Sequence, residues 1–187
     1  MEKPLKELPV SDRTIWTTQP HETHKIVKRA ETALSVAKWK FEESHGNLEL
    51  VMQTAEAFGR GLFAERMKDK PKGWTMAQWV ESTTREILNP LGTEATFTKI
   101  TNNKVKSVMN RTLLQEESTE PEITSLFTYG FMRGILLSAF PKGELLVGST
   151  MAQGAPMTEL IFKTKATEEE KAERERVKSF FATTMKE

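Results

Sequence analysis

Apolar residues recur at helical spacing through HKIVKRAETALSVAKWKFEESHG, where Ile26, Ala30, Ala33, Leu34, Ala37 and Phe41 share one face. Gly46 supplies a C-terminal stop. In NLELVMQTAEAFGRGLFAERMK the stripe is Leu48, Val51, Met52, Ala55, Phe58, Leu62 and Phe63, with Asn47 placed to cap it. Pro71 and Gly73 break the chain. A third helix is predicted from Thr75, because Thr75 and Gln78 have capping-box spacing. Its inner face is Met76, Trp79, Val80, Thr83 and Ile87, and Asn89-Pro90 with Gly92 closes it.

The period then shortens. ATFTKI and KVKSVM are rich in β-branched and aromatic residues, and Asn102-Asn103 suits a tight turn between them. After a polar connection, Pro121 opens a long apolar helix that ends at Pro141-Lys142-Gly143. GELLVGSTMA and MTELIFKTK, around Gln153-Gly154-Ala155-Pro156, predict a second strand pair. Thr167-Glu168-Glu169-Glu170 then opens a last, amphipathic helix with Val177, Phe180, Phe181 and Met185. Helices segregated from hairpin-paired strands predict an α+β domain: N-terminal helices and a central helix on an antiparallel sheet of about four strands, plus a C-terminal helix. The division is an extended arm over 1–24, which Ile15 and Trp16 pin to the body, one domain over 25–166, and the helix 167–187.

Composition narrows the chemistry. Lys and Arg number 27 against 26 acids, a formal net charge of +1, and no basic run or base-interleaved aromatic pattern marks a nucleic-acid surface. No apolar stretch reaches a membrane span of about 18 residues. MEKPLKELPV lacks a signal-peptide core, so a cytoplasmic protein is the expectation. The chain has no cysteine, which excludes disulfides, thiolate nucleophiles and Cys-based metal sites. His21 and His24 are a ligand-spaced pair, but His45 is remote, so no metal and no cofactor are expected. No nucleophile elbow and no phosphate-binding glycine pattern occurs.

The residue order AEAFGRGLF, a Trp-bearing helix, NKVKSVMNRTLLQEE, PEITSLFTYGFMRGILLSAF and LLVGSTMAQGAPMTELIF resembles the L-2-amino-thiazoline-4-carboxylic acid hydrolase-like family. It also resembles the wider 4-vinyl-reductase, hydrocarbon-binding domains. The resemblance spans roughly residues 26 to 165, and order and spacing carry it rather than any one motif. It implies this fold and a pocket roofed by helices. The family's thiols do not carry over. The Arg-Cys-Pro-like step is Arg111-Thr112-Leu113 here, and Ile123, Thr124, Ser125 and Thr128 stand where cysteines would begin the next helix. In the last hairpin Gly154 is followed by Ala155, Pro156, Met157 and Thr158.

Within YGFMRGILLSAF, Gly130 and Gly134 share a helix face although each interior glycine costs about 1 kcal/mol relative to alanine. They serve either close packing or the wall of a pocket. Arg133, off that face, is either a snorkelling arginine at the core margin or a clamp for a carboxylate, with Glu116, Glu117 or Glu122 as alternative protein partners. Arg111 is a strand-end charge or a second anchor. Arg60, between Gly59 and Gly61, raises the same choice. Methionines on the apolar elements fill the core or adapt to an apolar ligand. The expected function is binding of a small, largely apolar, carboxylated or similar organic ligand through Arg133, Arg111, Arg60, Gly130 and Gly134. Two alternatives stand beside it: a hydrolase opening a cyclic amidine or thiazoline-like ring without thiol or zinc, and a non-catalytic homodimerisation or assembly module. A homodimer is expected, with the C-terminal helix packed on a second copy.

Overall fold

The computed structural model describes residues 13–68, 73–111, 120–149 and 157–165, together with 172, 175, 176 and 179. In chain order the elements are β1 (Ile15–Thr17), α1 (His24–Glu43), α2 (Leu48–Arg66), α3 (Met76–Thr83), β2 (Glu94–Thr101), β3 (Lys104–Arg111), α4 (Pro121–Ala139), β4 (Glu144–Ser149) and β5 (Thr158–Lys163). The fold is α+β, as the alternation of periods predicts, with an antiparallel sheet of five strands in the order β1-β2-β3-β5-β4.

The fifth strand comes from the N-terminal arm. Trp16 pairs in register with Phe97, and Lys99 N donates to Thr14 O across the edge. Thr18 continues the attachment, its hydroxyl accepting from Ala95 N at 2.9 Å. Trp16 packs against the core, whereas Ile15 is 61% exposed on the opposite side of the strand and does not pin the arm. Three residues between polar neighbours carry no readable period, which is why this strand is invisible in sequence.

One face of the sheet presents Ala95, Phe97, Val105, Met109, Leu145, Leu160 and Phe162, all buried beneath the helices. The reverse face is mixed, with a Lys106–Glu159 ion pair of 2.9 Å between neighbouring strands. An antiparallel sheet tolerates water on one side in this way. Trp79 ties three elements together. Its Nε1 donates to Ile135 O of α4 at 3.3 Å, and its ring lies 5.1 Å from Phe162 of β5.

The local signals work as expected. Thr75 and Gln78 exchange both bonds of the capping box at 3.2 and 3.1 Å. Asn47 caps α2 by accepting from Glu49 N. Gly46 takes a positive φ of 97° where the chain turns out of α1. The third helix widens after Thr83 into a π-helical turn, Thr84–Leu88, which Asn89 N closes onto Thr84 O. No helix among the described residues is long and apolar enough to cross a membrane. In the C-terminal segment Ala172, Glu175, Arg176 and Ser179 are helical and exposed; the apolar Val177, Phe180 and Phe181 lie outside the described residues.

Candidate functional site

Three of the glycines singled out by the sequence, Gly59, Gly130 and Gly134, meet at the crossing of α2 and α4. A Cβ on Gly130 would lie 2.8 Å from Met52 O and 2.9 Å from the Ala55 methyl. A Cβ on Gly134 would collide with Glu56 O, and one on Gly59, from the other helix, with Phe131 O. Met52, Ala55, Glu56 and Gly59 follow one another along a ridge of α2, and Gly130 and Gly134 make the groove of α4 that receives it. The obstructing atoms are mostly backbone, so no rotamer change relieves them. Three interior glycines together forgo about 3 kcal/mol of helix propensity, offset here by direct backbone-to-backbone contact. Rings seal the flank: Phe58 of α2 lies 5.5 Å from Phe131 and 6.4 Å from Phe127. The space each glycine leaves is filled by the facing helix.

Arg133 leaves this seam at its margin. Its Nη1 donates to Glu56 Oε1, and the two side chains are 19% and 18% exposed. Glu56 therefore acts twice, its carbonyl against Gly134 and its carboxylate against Arg133. Glu122 lies 11 residues earlier on the same helix, about 16 Å away along the axis, too far to compete. Glu116 and Glu117 lie outside the described residues.

Arg60 and Arg111 are not brought to this place. Arg60 is exposed on α2, and neighbouring Gly61 faces open space. Arg111 ends β3 opposite Glu94, and its side chain is outside the described set. The arginines thus form no common anion site among the described residues. Nor do the described residues contain a cluster of three or more His, Cys, Asp or Glu side chains able to hold a metal ion. Elsewhere in the interior, the hydroxyls of Thr83 and Ser107 are wholly buried with no hydrogen-bond partner among the described residues.

The second concentration of unusual residues is one that apolar periodicity does not flag. α1 buries Ile26, Ala30, Leu34 and Ala37. On its far side Trp39 is 59% exposed and Val36 39% exposed, one turn apart. One tryptophan and one valine on a mostly polar face give no periodic signal, and only the packing of the whole body reveals that nothing described covers them.

No family model and no curated protein matches this chain. The fold is similar to that of a trafficking protein particle complex subunit 3 from Naegleria fowleri covalently bound to palmitic acid. The TM-score is 0.56 and the identity 15%, over 74% of this chain and 94% of that one. Likeness at this identity speaks to the fold alone. It does not bear on the thiazoline-hydrolase resemblance, which rests on residue order.

Proposed function

We propose that this chain is a non-catalytic assembly module, a rigid α+β body that presents a helix face to another polypeptide. One observation carries the reading. Gly130, Gly134 and Arg133, three of the residues expected to shape an apolar acid-binding pocket, are engaged by α2 and its Glu56, while Trp39 and Val36 stand out in solvent. Aromatic residues are enriched in protein–protein interfaces, and Trp39 beside Val36 is a small exposed apolar pair of that kind. That the neighbour in fold is a subunit of a multi-protein complex agrees with this.

Ligand binding is the second reading. It draws on the palmitic acid held by the neighbour in fold and on the Thr83 and Ser107 hydroxyls, unpartnered among the described residues. A fatty acid attached here through a thiol has no place to form, since the chain has no cysteine. A ring-opening hydrolase finds no support in the candidate arginines and glycines, none of which can act as base or nucleophile.

Native mass spectrometry of the full chain separates the readings. An assembly module is expected to appear as a homo- or hetero-oligomer without a stoichiometric small molecule. A monomer that retains one apolar ligand would overturn the proposal in favour of ligand binding.

A further inference from the structure

The outer face of α1 has a charge order that identifies its partner. From one end to the other the exposed residues of this face are His24, Lys25, Lys28, Thr32, Ser35, Val36, Trp39, Glu42 and Glu43. The stripe is basic at its N-terminal end, neutral in the middle and acidic at its C-terminal end. Among the described residues Lys28 pairs with Glu31 of its own helix at 3.1 Å.

A stripe of this kind complements itself when reversed. Two copies of α1 laid antiparallel about an axis between Ser35 and Val36 set Lys28 against Glu43, Thr32 against Trp39 and Ser35 against Val36. By symmetry each of these pairs occurs twice. Thr32 and Ser35 are small, so the indole of each copy finds room where its partner offers the least bulk. Antiparallel helices also oppose their dipoles, and the acidic end of each stripe meets the other's positive N-terminus. A parallel pairing would instead set lysines on lysines and tryptophan on tryptophan. The four core residues of α1 lie on the opposite face, so this stripe is not part of the core.

We infer that α1 is a self-pairing helix, and that its partner is the α1 of a second copy of this chain in antiparallel register. This rests on the assembly reading and specifies its occupant.

The absence of cysteine makes the register directly testable. Ser35→Cys, near the axis, is expected to give a covalent dimer with a short bis-maleimide. Lys25→Cys is not, because the two Lys25 positions lie about 30 Å apart along paired helices. In sedimentation of the full chain, Trp39→Glu is expected to weaken the dimer roughly tenfold or more. Lys28→Glu and Glu43→Lys should each weaken it, and the two together restore it. Circular dichroism of each variant confirms that the fold is retained.

A full chain that dimerises while Ser35→Cys fails to cross-link and Trp39→Glu changes nothing overturns this pairing and leaves the assembly reading standing. A full chain that stays monomeric, or that uses this face only for a different protein, also overturns the pairing. A monomer carrying a retained apolar ligand overturns both.

Discussion

α2 and α1 are neighbouring helices of nearly equal length, 19 and 20 residues, and they treat their unusual residues in opposite ways. On α2, Gly59 is a missing side chain that another backbone occupies. On α1, Trp39 is a large side chain that nothing described occupies. The first is a completed contact within the fold, and the second is an exposed side chain that no described residue covers. A glycine in a helix therefore says little until the atom that would meet its Cβ is known. An exposed aromatic likewise says little until the residues around it show what would fit.

This contrast can be broken most forcefully at Gly134. Gly134→Leu places its new atoms against the Glu56 carbonyl, and the helices must separate. We expect a loss of about 3 kcal/mol or more in denaturant unfolding, at the upper end of overpacking costs. Unchanged or raised stability would mean that the seam has room after all, as a pocket wall would.

The next effect in size is at the margin of the same seam. Arg133→Leu keeps the stem but leaves the Glu56 carboxylate without its guanidinium. A half-buried ion pair of this kind is expected to cost about 1.5–3 kcal/mol when one partner is removed. Glu56→Gln should cost less, since it retains an acceptor. A double-mutant cycle on Glu56 and Arg133 with no coupling would show that the pair contributes nothing to the crossing.

At the other extreme, Trp39→Ala removes the largest exposed apolar side chain of α1 while leaving the four core residues of that helix untouched. Monomer stability is expected to change by no more than about 0.5 kcal/mol, read by thermal unfolding at dilution. A large loss would place Trp39 in the fold rather than at a contact.

Much of the fold was legible because its signals are local. The apolar stripe of α1 reads directly as Ile26, Ala30, Leu34 and Ala37, and Thr75 with Gln78 announces α3. The Asn102-Asn103 turn fixes the β2–β3 hairpin. What could not be read depends on distant partners. β1 becomes a strand by pairing with the distant β2, Trp16 opposite Phe97. The crossing combines residues from AEAFGRGLF and YGFMRGILLSAF, both notable in sequence, but nothing in either stretch says that they face one another. Glu56 lies 77 residues from Arg133, and no spacing rule ranks it above the nearer carboxylates. The exposure of Trp39 is likewise a property of the packed body and not of its helix.

Gly59 and Gly61 test the account most directly, being two residues apart on one helix and identical in chemistry. A Cβ at Gly59 would strike the Phe131 carbonyl, and one at Gly61 would meet nothing within 4 Å. Urea unfolding of Gly59→Ala and Gly61→Ala, measured side by side, should give shifts of opposite sign. Gly59→Ala is expected to lose about 1–3 kcal/mol through overpacking, and Gly61→Ala to gain about 0.5–1 kcal/mol from helix propensity. Stabilisation at both positions would contradict the closed crossing on which the assembly reading rests.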